Sequence, residues 1–416
     1  MEAKSIYWLI VLILLFGFVL DRILSFLNHR TWEKKLPDDL KEFYDEEKYE
    51  KARNYNNTLW KFGILRESLS FFITLGFFMA GGFAWLNNLI SPHIHHPVFL
   101  TLIYFAVLFF VSDLLSIPFS IYRTFVIEEK FGFNKTTPKT FILDKLKSYA
   151  LLLIIGGILG FILIWLIIQL KEDFWIYAFL VMTAFSLFFT VFYSSLIIPL
   201  FNKLTPLEDG ELRTAIFDFA GKVSFPLDNI YVIDGSKRSS KANAFFTGLW
   251  KKKKIVLYDT LIAKHTVPEL VAVLAHEVGH YKKKHIVKGL IAGIAQTFVM
   301  LFIVSKLLFL PELSKAFGCT DYVLHINLIA LTILFEPVNL IIGLAGNIFS
   351  RKHEYQADKF SVIHTGSYEL KNALKKLSVA HLSNLKPHPA YVFFYYSHPP
   401  LFKRLQAIEN IKLNPS

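Results

Sequence analysis

The chain has 416 residues, 54% of them hydrophobic, and a formal net charge of +12. So apolar a composition excludes an ordinary soluble domain, and the single cysteine, Cys319, excludes an intrachain disulfide and a thiolate-rich metal site. The positive excess reads as the cytoplasmic bias and headgroup contact of a protein in a lipid bilayer, and no nucleic-acid-binding motif accompanies it.

A helix needs about 20 mostly apolar residues to cross a bilayer. In chain order, such runs occupy 5–27, 67–90, 98–122, 149–170, 174–199, 286–310 and 323–349, which predicts seven spans. The first run is long, lacks a basic start and shows no clear small-residue cleavage site, so it reads as an anchor rather than a signal peptide. The segments 28–66 and 123–148 carry nine and six Lys/Arg; 91–97 carries none, and 171–173 and 311–322 carry one each. That bias predicts an N-terminus outside and the large polar segments 200–285 and 350–416 in the cytoplasm. The expected fold is a multi-pass α-helical membrane protein with a small cytosolic α/β domain. Its predicted divisions are 1–200 with spans one to five, 201–285 as a cytosolic insertion, 286–349 with spans six and seven, and 350–416 as a cytosolic C-terminal segment.

Within the insertion, 209–223 has helical periodicity, 229–235 ("NIYVIDG") reads as a strand ending in a turn, and 241–250 and 253–262 read as a hairpin. The lysines of "WKKKK" (250–254) read as its solvated turn beside headgroups. Thr266, followed by Pro268 and Glu269, is a helix N-cap. With no breaker in "VPELVAVLAHEVGHYKKKHIVKGL", this helix is expected to continue straight into span six. Within the spans, Asp113 and Glu336 read as lining a wet cavity, because ionisable groups at such depth avoid lipid.

His276 and His280 lie four residues apart, hence on one helix face and within reach of one Zn²⁺, while Glu277 stands about 100° round the helix. In H-E-x-x-H that glutamate serves as general base toward a water. An open-coordinate zinc needs a third protein ligand. The extension H-E-x-x-H-x-x-G-x-x-H is broken by Lys283 and Ile286, so the ligand comes from elsewhere. Glu312 and Asp321 fall outside and Glu336 at mid-span, which leaves "SRKHEYQAD" (350–358) at the cytoplasmic end of span seven. Glu354 is assigned as third ligand and Asp358, again at i+4, as the carboxylate that receives the other imidazole N–H of His276 or His280. His353 is the rival ligand, pointing about 100° away from Glu354.

The sequence resembles the zinc-dependent CAAX prenyl endopeptidases, the farnesylated-protein-converting enzymes. The resemblance rests on "FVIEEKFGFN" (125–134), "PLFNKLTPL" (199–207), "GSKRSS" (235–240), "NAFFTG" (243–248), "HEVGH", "SRKHEYQAD" and "YSHPPLFKRLQA" (396–407), in order along nearly the whole chain. It implies seven helices enclosing an intramembrane chamber, one zinc per chain, and removal of the last three residues of a prenylated Cys-a-a-X protein, with a second, upstream cut in some members. It implies His276, His280 and Glu354 as zinc ligands and Glu277 as base. Asn243 matches an edge-strand position beside the substrate backbone, and His398 matches a histidine near the scissile carbonyl; a histidine that only fixes the turn before Pro399 and Pro400 is the plainer reading of His398. Arg351 and Arg404 read as structural ion-pair partners. The long acidic insertion of some members is missing after Asp259-Thr260-Leu261, and "IKLNPS" at the C-terminus has no dilysine-type retrieval signal. The implied membrane is the endoplasmic reticulum in a eukaryote and the cytoplasmic membrane in a bacterium.

Two other functions compete. A quality-control protease would admit non-prenylated polypeptides to the same site, and a transporter would share the wet cavity. No inverted repeat supports the latter.

Overall fold

A computed structural model describes residues 2–247 and 253–413. Helices α1 (Ala3–His29) and α2 (Glu46–Met79) are followed by α3 (Gly82–Ile90) and α4 (Pro97–Tyr122), which continues as a π-turn over Arg123–Glu128. The stretch from Pro138 to Phe201 holds α5 (Pro138–Leu151), a π-turn, α6 (Gly157–Leu170), α7 (Phe174–Leu196) and the short α8 (Ile198–Phe201). Among the described residues, five helical stretches are long and apolar enough to cross a membrane, or six when a pair bent by 47° is taken as one span. The stretch 138–201, at 64 residues, would reach about 96 Å as one helix, three times a bilayer core. It is instead two arms: Lys171 takes a φ of +47° and α7 packs back against α6. All seven predicted apolar runs therefore lie on helices.

The boundaries differ from those expected. The helix of the second span begins twenty-one residues early, because α2 rises from Asp45, whose side chain caps it through the Lys48 N–H at 2.7 Å. Span seven is the bent pair, formed by α14 and α15 below.

The spanning windows bury at most 17% of their residues, too little for a solid bundle, whose helices would each hide an inward face. The packing lies at the ends. At the end carrying residues 80–97 and 308–323, Ile10, Phe78, Tyr104, Phe174, Phe317 and Ile326 form one core. At the other, Tyr44, Tyr55, Ile127, Phe131 and Leu382 form another. Between them sit polar pairs, Arg22 with Glu67 and Asp113 with Lys145 and Tyr149, while Glu336 is exposed. Helices closed at both ends with polar groups between them enclose a chamber.

The insertion builds a four-stranded sheet of order β1-β2-β4-β3 from β1 (Leu204–Pro206), β2 (Leu227–Ile233), β3 (Ala244–Thr247) and β4 (Lys253–Tyr258). β3 and β4 pair antiparallel as predicted and leave β3 at the edge, and β4 runs parallel to β2. The second hairpin arm stops at Tyr258, where α10 (Asp259–Ile262) begins; most of the lysine turn, 250–252, falls outside the described residues. Helix α9 (Glu211–Lys222) covers one face of the sheet with Ile216, Phe219 and Ala220. The "GSKRSS" turn docks on the membrane helices: Arg238 makes a two-pronged pair with Asp144 (2.7 and 2.9 Å) and Ser240 N–H donates to the Phe133 carbonyl.

α11 (Val267–Lys282) starts at a capping box. Thr266 Oγ1 accepts from Glu269 N–H and Glu269 Oε2 accepts from Thr266 N–H, a motif worth about 1 kcal/mol. The expected unbroken run into the membrane does not occur. Lys284 adopts the left-handed conformation (φ +58°), ending α11 and redirecting the chain into α12 (His285–Leu307). There follow α13 (Pro311–Ala316), α14 (Leu324–Leu334), α15 (Glu336–Thr365), α16 (Glu369–Ala380), α17 (Pro389–Tyr395) and α18 (Leu401–Glu409). α11 packs most extensively against α15.

Candidate metal centre

α11 and α15 carry the site. Gly279 on α11 presents no side chain to Ala357 of α15, and Ser361 Oγ donates to the Ala272 carbonyl at 2.7 Å. The two backbones therefore approach closely, and His276, His280 and Glu354 come together with ligand atoms within 4.8 Å of one another.

His276 Nε2 lies 3.1 Å from His280 Nε2 and 3.5 Å from Glu354 Oε2, and His280 Nε2 lies 3.2 Å from Glu354 Oε1. Glu354 Oε2 is buried without a hydrogen-bond partner. Two imidazole nitrogens aimed at each other and at a buried, unsatisfied carboxylate oxygen leave lone pairs that a cation satisfies. Two imidazoles and one carboxylate are the donor set of an open-coordinate hydrolytic centre. The residues fit a metal ion.

Asp358 takes His276 rather than His280: its Oδ1 lies 2.9 Å from His276 Nδ1, a close but bent contact. Arg404 of α18 grips Asp358 with two hydrogen bonds, 2.9 and 2.6 Å, and stands 3.5 Å from Glu354 Oε2. Burial lowers the basicity of His276, but Asp358 and Glu354 outweigh it and raise the metal-free imidazole to about 9. Arg351 forms no ion pair among the described residues. It donates to the Val392 and Tyr396 carbonyls and so shapes the turn ahead of Ser397.

Glu277 is half-buried and makes no hydrogen bond or ion pair among the described residues; burial raises its pKa. His398 is exposed, with Nδ1 at 2.9 Å from Ser397 Oγ and Nε2 at 3.3 Å from Glu354 Oε1. Asn243 is exposed just before β3; its carbonyl accepts from Tyr258 N–H at 3.1 Å and its side chain from Ala244 N–H at 2.9 Å. The rival ligand His353 turns away and stacks on His285 at 3.8 Å. Sequence reasoning missed His285, since the spacing from His280 to His285 puts the two about 140° apart on a continuous helix.

A H-E-x-x-H helix joined to a carboxylate on a membrane-spanning helix defines an integral-membrane metallopeptidase. Comparison with known proteins agrees. Residues 26–203 match the family model described as "CAAX prenyl protease N-terminal, five membrane helices", and residues 206–412 match peptidase family M48. CAAX prenyl protease 1 of Saccharomyces cerevisiae is 34% identical, covering 93% of this chain and 92% of the relative. The homologue from Homo sapiens is 33% identical over 91% and 89%. The crystal structure of S. mikatae Ste24p superposes with a TM-score of 0.92 at 33% identity, covering 98% and 99% of the two chains. The chain belongs to peptidase family M48, among its membrane-embedded CAAX prenyl proteases, and is a metalloprotease.

Proposed function

We propose that the chain is a zinc endopeptidase that removes the C-terminal aaX tripeptide from prenylated CAAX proteins. The observation that carries this reading is the convergence of His276, His280 and Glu354 on α11 and α15, with α11 packed against β3, in a chain whose relatives bear the name of that activity. The names of these relatives favour neither a protease of non-prenylated polypeptides nor a transporter.

The substrate lies along β3 as an added strand, guided at its start by Asn243, because among the described residues the outer edge of β3 has no partner strand. His276, His280 and Glu354 would hold the zinc, which when bound would supply Lewis acidity toward the scissile carbonyl and lower the pKa of a water. Glu277 takes the proton of the attacking water and returns it to the leaving amine; its carboxylate is unpaired among the described residues, and burial raises its pKa, which favours its holding the proton in transit. Asp358 orients His276, and His398 donates Nε2–H to the oxygen that becomes negative. The loop charges support a cytosolic position for residues 201–285 and 350–416, at the endoplasmic reticulum in a eukaryote. There a prenylated tail, held at the bilayer by its lipid, meets the site.

The test uses the full-length protein in detergent, wild type beside Glu277→Gln, with a farnesylated CAAX peptide. One zinc in each and cleavage by the wild type alone is expected. Zinc in both with cleavage by neither removes the CAAX assignment, and a zinc-free wild type never exposed to chelator removes the mechanism.

A further inference from the structure

His280 has a second nitrogen that the metal site does not use. With Nε2 turned to His276 and Glu354, its Nδ1 lies 3.0 Å from Nδ1 of His285, the first residue of α12. His285 is 6% exposed, its Nε2 lies 2.9 Å from Gln356 Oε1, and its ring is stacked within 10° of parallel on His353. All three partners are thereby accounted for, and the protons along the row follow from chemistry. A ligating Nε2 must be unprotonated, so Nδ1 of His280 carries the hydrogen. His285 Nδ1 must then accept, which leaves its Nε2–H to donate to the Gln356 amide oxygen.

We propose that His285 is the positioning residue for His280. Seated on Gln356 and His353, it holds the ligand imidazole in its metal-binding tautomer and orientation, as Asp358 does for His276. The arrangement rests on the metal reading above. It also gives a reason for the left-handed Lys284: only that break brings a residue five positions past His280 back to its ring. Because His285 opens α12, the metal ligand is tied to the position of a membrane-spanning helix. Gln356 sits two residues after Glu354, so α15 supplies both a direct ligand and the support of another.

Zinc affinity of the full-length protein, measured by competition with a chelating indicator, tests this without recourse to activity. His285→Leu should bind zinc 10–100-fold more weakly than wild type, the usual effect of removing such a support. His285→Gln, whose amide oxygen accepts from His280, should return to within roughly threefold. The visible spectrum of the cobalt-substituted protein should change in the leucine variant and not in the glutamine variant. Wild-type affinity in His285→Leu overturns the proposal, as does a lowered melting temperature with unchanged affinity, the sign of packing alone. Should His285→Leu not fold, Gln356→Leu decides: it keeps the ring but lets it flip, and an affinity equal to wild type overturns the proposal. A wild type that binds no zinc refutes the metal reading itself, a result distinct from wild-type and leucine proteins that bind equally.

Discussion

Gly279 and Ala357 meet backbone against backbone where α11 crosses α15. A Cβ on Gly279 would stand 3.1 Å from Ala357 Cα and 3.0 Å from Phe360 Cβ. The glycine inside HEVGH thus sets the distance between the helix that carries two of the proposed ligands and the helix that carries the third. Gly279→Ala should force the helices apart, costing about 1–3 kcal/mol and weakening metal binding. Thermal unfolding of the zinc-loaded and chelator-treated variant checks it; an alanine variant with wild-type melting and wild-type zinc affinity contradicts it.

Arg404 and Asp358 form a buried pair, with side-chain exposures of 11% and 2%. Arg404→Met leaves Asp358 without its main counter-charge, at a cost of about 3–5 kcal/mol. Adding Asp358→Asn should recover part of that stability but not zinc affinity, since His276 then loses its carboxylate. The two melting temperatures and two affinities separate the structural from the metal-orienting share.

Metal binding should be linked to protons. In the metal-free protein His276 is held protonated up to about 9 by Asp358 and Glu354 against the opposing effect of burial, whereas a ligand imidazole is neutral. Binding at pH 7 therefore releases a proton. Zinc affinity should rise about tenfold per pH unit and level off near pH 9. The sign for stability follows as well. A folded-state pKa above the unfolded one gives a contribution present below about pH 6.5 and lost as pH rises through about 9, so the metal-free protein should lose stability across that window. Calorimetric titration in buffers of different ionisation enthalpy measures the proton; an affinity flat with pH removes the linkage.

His398→Ala separates an oxyanion donor from a turn-fixing histidine. A donor that acts only in the transition state should lower kcat about 10²–10³-fold with little change in KM, with zinc content and melting temperature near wild type. A fall in melting temperature with kcat intact would assign His398 to the Ser397–Pro400 turn.

The seven apolar runs, the His276–His280 pair with Glu277 between, and Glu354 and Asp358 at the same spacing are all legible in the sequence. They depend on hydropathy or on helical periodicity, which act over a few residues. So does the Thr266 cap, which the structure reproduces as a capping box. Tertiary structure alone decided which imidazole Asp358 receives, since either histidine satisfied the spacing. It alone brought Arg404 onto Asp358, 46 residues away, and Gln356 onto His285, 71 residues away. It also decided the break at Lys284, because a lysine in the left-handed conformation has no local signature; the contacts of His285 hold it there. Local sequence chose the candidate ligands, and the packing of α11 on α15 chose their geometry.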